Sequence, residues 1–249
     1  MVSSDFTSKV LNGAFVITIV LWLVRLGTVA MHIILARILS IEQYGVAIIA
    51  FILIALQEFI PNLGYSTKLI QRIEAPSDRE LNTAWTVDIL ICRLFFAFLI
   101  YVSSPFLAVY FEIFTYEKMV AMCALVSVCA AFENSATVVM FHNLEYRRRS
   151  ILVLSHGTGM TLTTIALAFL LRSPWAVVWG GIAGYAARST VSYFLVRHIP
   201  RLSWDWQFLR LHSSFAAWMI GVAFTTKLRG YLDKIIVARL LGAEGLAVF

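Results

Sequence analysis

Charged residues are scarce in this chain. Asp, Glu, Lys and Arg make up 14% of its 249 residues, and apolar residues make up 60%. Soluble proteins carry about 25% charged and about 45–50% apolar residues. A soluble globule needs more polar surface than these residues supply, whereas a membrane-spanning helix needs about 20 consecutive apolar residues. The composition therefore excludes a soluble domain and predicts a polytopic membrane protein.

Residue patterns that carry chemistry are also few. The three cysteines, Cys92, Cys123 and Cys129, lie in apolar stretches without metal-type or redox-type spacing, so we interpret them as buried apolar residues. The chain lacks a His-Glu-x-x-His pattern, a Gly-rich phosphate loop and a Gly-x-Ser-x-Gly turn. Its net charge of +6 is spread among apolar stretches, which disfavours a nucleic-acid partner. We expect no enzymatic activity, no cofactor and no metal site.

Apolar stretches of membrane length recur along the chain and predict an all-α transmembrane bundle of about seven helices. The candidate spans are Gly13–Leu35, Tyr44–Leu63, Ala84–Tyr110, Met119–Phe141, Ile151–Leu171, Trp175–Val196 and Ser214–Val237. The first is too long for the apolar core of a signal peptide, so we expect it to remain in the protein. The connecting segments are too short to form a separate domain outside the membrane.

Lysine and arginine are distributed unevenly between the two ends of these spans. One side carries Lys9, Lys68, Arg72, Arg79, Arg147, Arg148, Arg149, Arg197, Arg201 and Arg210. The other side carries Arg37, Lys118, Arg172 and Arg239. Because positive residues favour the cytoplasmic side, the sequence predicts a cytoplasmic N-terminus.

The chain contains an internal repeat at an offset of 202 positions. The offset aligns the ten residues Ile33–Glu42 with Ile235–Glu244, and six of the ten pairs are identical. It also aligns Arg25 with Lys227, each near the middle of its span. Six helices followed by a copy of the first predict two parallel halves around a central cavity. We therefore expect a first lobe of six helices over residues 1–210 and the first helix of an incomplete second lobe over 211–249.

Two motifs resemble a known family. The stretch Ala36–Gly45 reads Ala-Arg-Ile-Leu-Ser-Ile-Glu-Gln-Tyr-Gly, and after an apolar helix Asn62–Arg72 reads Asn-Leu-Gly-Tyr-Ser-Thr-Lys-Leu-Ile-Gln-Arg. Both resemble the polysaccharide biosynthesis flippases, which are the O-antigen and exopolysaccharide translocases of the multidrug/oligosaccharidyl-lipid/polysaccharide exporter superfamily. Ala238–Gly242 repeats the first motif.

This resemblance implies a flippase of the bacterial inner membrane that moves a polyprenyl-diphosphate-linked oligosaccharide. The implied partners are the lipid bilayer, a polysaccharide polymerase and export machinery. Two features depart from the family pattern. Asn62 stands where members usually carry Asp, and the chain ends at Phe249 where members continue to 12–14 helices. We expect a truncated member or a fragment. A multidrug exporter of the same superfamily and a membrane glycosyltransferase or polymerase of the same pathway remain alternatives.

Several cations lie too deep in their spans to reach the membrane surface easily. Arg25 is about a dozen residues, or roughly 18 Å, from either end of its helix, so it must face protein or water. The deep cations, interpreted as substrate-binding residues, are Arg25, Arg93, Arg188, Lys227 and Arg229. Asp88, Glu133 and His156 are candidates for ion coupling or charge balance. Excess positive charge at this depth favours an anionic substrate, and structural ion pairs are the alternative interpretation.

Overall fold

The computed structural model describes residues 4–56, 68–70 and 76–248, and every regular element within them is helical. We number the α-helices α1 (Ser4–Ile38), α2 (Ile41–Leu56), α3 (Asp78–Val87), α4 (Phe95–Tyr110), α5 (Glu117–Met122), α6 (Ala124–Ala131), α7 (Thr137–His142), α8 (Tyr146–Leu171), α9 (Trp175–Leu195) and α10 (Trp206–Val248). A π-helix, Asp88–Leu94, joins α3 to α4. The all-α class predicted from the composition is confirmed.

Four segments of the described chain are long and apolar enough to cross a membrane. They are Leu11–Ile38, Asp78–Tyr110, Phe114–Ala131 and Tyr146–Leu171, and Ile41–Leu56 is a shorter apolar helix. The predicted span Trp175–Val196 corresponds to α9, and Ser214–Val237 lies inside the longer α10. The predicted span Tyr44–Leu63 agrees with α2 up to Leu56, and its remaining residues lie outside the described chain, as does most of the second motif.

The prediction of one continuous helix over Met119–Phe141 is wrong. The chain forms α5, α6 and α7 here, with a break between Ala131 and Thr137. Asn134 in this break is fully buried, and its side-chain oxygen accepts a hydrogen bond from the Ala136 amide at 3.0 Å. Such local side-chain bonds compete with the helix, which is how an Asn ends it.

Two local signals set the length of the segment Asp78–Tyr110. Its N-terminus carries a capping box, in which Ser77 and Glu80 each satisfy the other's backbone amide, so the helix begins six residues before the predicted Ala84. Between Asp88 and Leu94 the backbone hydrogen bonds change from the α-helical to the π-helical spacing. Single π-helical turns within α-helices are rare and frequently mark functional sites.

Helices α8 and α9 pack closely along small residues. A Cβ added to Gly180 would lie 2.9 Å from the Met160 backbone oxygen, and one added to Gly184 would lie 3.0 Å from the His156 backbone oxygen. The four-residue spacing of Gly180 and Gly184 predicts a stripe of small residues at which another helix approaches closely, and these contacts confirm it. The contact fixes the side of α9 that faces the bundle.

The two copies of the repeat share a break at the same register. Helix α1 ends at Ile38, and α2 begins at Ile41 after Leu39 and Ser40. The repeat mate of Ser40 is Gly242, where α10 has non-helical angles of φ 68° and ψ −173°. A positive φ of this size favours glycine. Each copy is thus a helix, a short break and the start of a second helix.

Helix α2 forms the centre of the main apolar core. Its residues Val46, Ala47, Ile49 and Ala50 are at most 1% exposed. Helix α1 packs mainly on α8, and α10 packs mainly on α2. The start of α2 approaches the second break so closely that a Cβ on Gly45 would overlap the Ala243 backbone. This arrangement leaves a space between α1 and α10, the two repeat mates.

Candidate functional site

A cavity of about 510 Å³ occupies the space between α1, α2, α8 and α10, and we call it the α1–α10 cavity. Its lining residues are His32, Tyr44, Ile48, Phe51, Ile52, Ile54, Ala55, His156, Met160, Tyr231, Lys234, Leu246 and Ala247. Aliphatic and aromatic walls surround a few polar groups, which is typical of a ligand site. Lys234 is the one lysine among these described lining residues, and none of them is an aspartate or a glutamate.

The polar groups of the cavity come from both repeat copies. His32 on α1 and Lys234 on α10 are separated by 202 positions, so they are repeat mates and both line the cavity. The His32 Nδ1 atom lies 3.3 Å from the Tyr44 hydroxyl, and its ring lies 4.7 Å from the Phe51 ring. The Lys234 ammonium lies 6.0 Å from the centre of the Tyr231 ring. The repeat therefore has a structural counterpart at this site.

Arg25 lies on the same side of α1 as His32. The two residues are seven positions apart, which corresponds to nearly two full turns and about 10 Å along the helix. Arg25 is exposed, and its exposed neighbours on α1 are the apolar residues Trp22, Leu26 and Val29. Among the residues that the structure describes, Arg25 has no carboxylate partner.

Arg93 and Arg188 occupy a different environment, in what we call the charge cluster. The Arg93 Nε atom lies 3.7 Å from the Asp88 Oδ2 atom, and the Arg93 side chain is only 4% exposed. The Arg188 Nε atom lies 2.9 Å from the Glu133 Oε2 atom. Glu133 also acts electrostatically on Asp88, so the two pairs are neighbours. The charge cluster contains two cations and two carboxylates.

The local backbone explains how the charge cluster forms. Asp88 and Arg93 are five residues apart, which is the hydrogen-bond spacing of the π-helix, whereas an α-helix would turn them about 140° away from each other. Glu133 lies in the break after α6, and Arg188 lies one turn beyond Gly184 on α9. Because Arg188 lies one turn beyond Gly184 on the same side of the helix, the spacing predicts that Arg188 points into the bundle, and its contact with Glu133 agrees with this.

The remaining predicted residues lie elsewhere. Arg229 is exposed on α10, and the side chain of Lys227 lies outside the described part of that helix. His156 lines the α1–α10 cavity and packs its ring 4.4 Å from the ring of Tyr185 on α9. The structure thus brings His156 to the cavity wall near α1 but places Arg93 and Arg188 in the charge cluster.

Sequence reasoning missed His32, Tyr44, Tyr231 and Lys234. Distance from the ends of a span selects the charged residues nearest its middle, and these four residues do not meet that criterion. The 202-position offset that aligns Arg25 with Lys227 also aligns His32 with Lys234, so the same signal extended by two turns identifies this pair. The aromatic lining of the cavity carries no comparable signal.

A further ion pair joins α10 to the end of α4. The Arg239 Nη1 atom donates to the Glu112 Oε1 atom at 3.1 Å, and the guanidinium lies 5.4 Å from the centre of the Tyr110 ring. Both charged side chains are largely exposed, at 47% and 67%. The pair therefore lies at the surface, in contrast to the charge cluster.

Comparison with known proteins identifies the family. The family model described as polysaccharide biosynthesis protein matches residues 34–249. The chain is 21% identical over 248 residues to the teichuronic acid biosynthesis protein TuaB of Bacillus subtilis, covering 98% of this chain and 51% of that protein. It is 24% identical over 236 residues to the lipopolysaccharide biosynthesis protein WzxC of Escherichia coli, covering 89% and 45%. The chain spans about half the length of these relatives. No solved structure matches.

Proposed function

Because the chain belongs to the polysaccharide biosynthesis protein family, we propose that it acts as a flippase for a polyprenyl-diphosphate-linked oligosaccharide in the bacterial inner membrane. It is a multi-pass membrane protein of polysaccharide biosynthesis, in agreement with its apolar helices and its relatives. The substrate and the transport step are the parts that we propose.

The observation that carries the proposal is the exposure of Arg25. Arg93 and Arg188 lie beside carboxylates, whereas Arg25 is a cation in the middle of an apolar helix without a carboxylate partner among the described residues. An arginine facing hydrocarbon at this depth costs from about 2.5 to more than 10 kcal/mol. An arginine facing a polar path avoids that cost and is available to bind an anion. Arg25 is therefore the first candidate for contact with the diphosphate, and Lys227 and Arg229 are candidates on α10.

The diphosphate is the part of the substrate that is least soluble in hydrocarbon. A guanidinium replaces its hydration with charge-assisted hydrogen bonds, two of which form in parallel when the geometry permits. The polyprenyl tail remains in lipid, and the sugars follow the polar path. In this proposal, the lobe 1–210 and the lobe that begins at residue 211 move relative to each other around the site to give alternating access. The polymerase and export machinery then use the product on the outer face.

The lining of the α1–α10 cavity bears on the alternative functions. A multidrug exporter that carries amphipathic cations requires acidic groups, and the cavity contains Lys234 but no carboxylate among its described lining residues. A glycosyltransferase or polymerase requires paired acidic groups that face a polar loop. Asp88 and Glu133 instead lie beside arginines inside the bundle. These contacts favour transport over enzymatic activity.

Deletion of the encoding gene in the source bacterium tests the proposed function. A flippase defect stops surface polymer and leaves complete lipid-linked oligosaccharide in the inner leaflet, because synthesis of the repeat unit continues. A glycosyltransferase defect instead leaves a shortened oligosaccharide. Accumulation of the complete unit, reversed by the reintroduced gene, supports transport, and accumulation of a shortened unit contradicts it.

The orientation of the chain has its own test. The distribution of positive residues predicts that Arg147–Arg149 lies at the cytoplasmic face and the turn at Arg172 at the outer face. A single cysteine at position 148 is expected to react with a membrane-impermeant maleimide only after the cells are disrupted. A single cysteine in place of Ser173 is expected to react in intact cells. Labelling of position 148 from outside intact cells would reverse the orientation.

A further inference from the structure

The α1–α10 cavity contains polar groups that have no role in the proposed binding of the diphosphate by Arg25. Arg25 is not among the residues that line it. The cavity lies about 10 Å further along the same side of α1, where His32, Tyr44, Tyr231 and Lys234 meet. The apolar walls formed by Ile48, Phe51 and Ile52 lower the local dielectric constant, so a charge inside the cavity acts more strongly than it does in water.

Lys234 and His32 act on the same part of this cavity. Both side chains line this one cavity of about 510 Å³, His32 from α1 and Lys234 from α10. Tyr44 contacts His32, with 3.3 Å between the hydroxyl oxygen and Nδ1, and thereby positions the imidazole ring. A lysine and a histidine held near each other in an apolar wall provide converging hydrogen-bond donors for one anion.

The contact between Lys234 and Tyr231 is too weak to be the reason for a lysine at this position. The ammonium lies 6.0 Å from the ring centre, which is at the outer limit for a cation–π interaction. The Lys234 side chain is exposed within the described structure, so it is free to move towards a ligand.

We infer that His32 and Lys234 form a second anion-binding site for the phosphate groups of an isoprenoid-linked sugar, at a different membrane depth from Arg25. The inference rests on the proposed function and extends it, because the headgroup then has two binding positions along one side of α1. The two positions divide the crossing of the bilayer into shorter steps. The repeat explains their composition, since His32 and Lys234 are mates just as Arg25 and Lys227 are.

Binding of farnesyl diphosphate to the purified 249-residue chain in lipid nanodiscs tests this inference. Radiolabelled farnesyl diphosphate is the probe, and unlabelled farnesol is the competitor that lacks the anion. The variants are Lys234→Gln, Lys234→Arg and His32→Gln. Lys118→Gln, an exposed lysine on α5 that lies outside the cavity lining, is the matched control. Thermal unfolding of each variant confirms that it is folded.

A hydrogen bond to a charged group is worth about 1.5–3 kcal/mol, so we expect Lys234→Gln to weaken binding by at least about ten-fold. Lys234→Arg should retain most of the affinity because it keeps the charge, and Lys118→Gln should bind as the original chain does. Farnesol should not displace the probe. Unchanged affinity in both Lys234→Gln and His32→Gln, or displacement by farnesol, would overturn the second site.

The double variant Arg25→Ala/Lys234→Gln separates this inference from the proposed function. If the two sites bind independently, Lys234→Gln and Arg25→Ala each remove the probe from one site, and the double variant loses both. If Lys234→Gln has no effect alone or in the Arg25→Ala background, the second site is wrong while Arg25 keeps its proposed role. The gene-deletion experiment decides the transport function without reference to Lys234.

Discussion

The charge cluster and the α1–α10 cavity both place cations inside an apolar bundle, but they differ in what surrounds those cations. In the charge cluster, Arg93 and Arg188 each lie beside a carboxylate. Along the cavity side of α1 and α10, Arg25 and Lys234 have aromatic and aliphatic neighbours instead. A charge without a partner is costly in an apolar environment, so we interpret the paired arginines as structural and the exposed, unpaired cations Arg25 and Lys234 as ligand-binding.

The comparison makes opposite predictions for stability and for transport. Substitutions in the charge cluster should unfold the bundle, because they leave a buried charge without its partner. Substitutions of the cavity-side cations should leave the bundle intact and remove binding or transport. Variants of each group therefore test whether the distinction is real.

The largest effect on stability is expected for Asp88→Ala. This change leaves the Arg93 guanidinium, which is 4% exposed, without its carboxylate. Removal of one partner of a buried pair costs about 3–5 kcal/mol, and we expect a corresponding fall in the thermal unfolding temperature in detergent. Glu117→Ala, at an exposed carboxylate, is the matched control. Equal unfolding temperatures for the two variants would remove the structural role of the cluster.

The second effect concerns the packing that directs Arg188 towards Glu133. In Gly184→Leu, the added side chain meets the His156 backbone oxygen, which lies 3.0 Å from the position of the new Cβ. Overpacking of this kind costs about 1–3 kcal/mol, so α9 should separate from α8 and the unfolding temperature should fall. Gly221→Leu on α10 is the control, because a Cβ there meets no described atom within 4 Å. A stable Gly184→Leu variant would show that the close approach is not required.

The smallest effect is expected for the surface pair Arg239–Glu112. Both side chains are about half exposed or more, and exposed ion pairs contribute about 0–1 kcal/mol. Arg239→Gln should therefore change the unfolding temperature little. Adding salt should not lower the unfolding temperature of this variant, because the ion pair that salt would screen is already absent. A loss as large as that of Asp88→Ala would show that burial does not separate the two classes of ion pair.

The sequence predicted the helical class, the close approach of another helix at Gly180 and Gly184, and the inward position of Arg188. These follow from apolar run length and small-residue spacing, which are local properties. The break between α6 and α7 was missed because Asn134 ends a helix through a bond to a nearby amide, and hydropathy does not detect that bond. The π-helix was missed because no residue pattern distinguishes it from an α-helix.

The candidate site was predicted only in part. Depth along a helix singled out Arg25, Arg93 and Arg188 alike, and depth alone does not separate Arg25 from the two arginines that lie beside carboxylates. Their separation depends on contacts between residues such as Glu133 and Arg188, which are far apart in sequence. The cavity was missed for a similar reason, since His32 and Lys234 meet only after α1 and α10 pack around α2.

Polymer export by an Arg25→Ala variant tests the central claim most directly. The variant and the Arg210→Ala control are expressed to equal levels in the deletion strain, and surface polymer and unfolding temperature are measured for both. We expect Arg25→Ala to abolish export with an unfolding temperature within a few degrees of the original, and Arg25→Lys to retain part of the export because the charge remains without the planar fork. Normal export by Arg25→Ala at equal expression would contradict the claim that this cation binds the substrate.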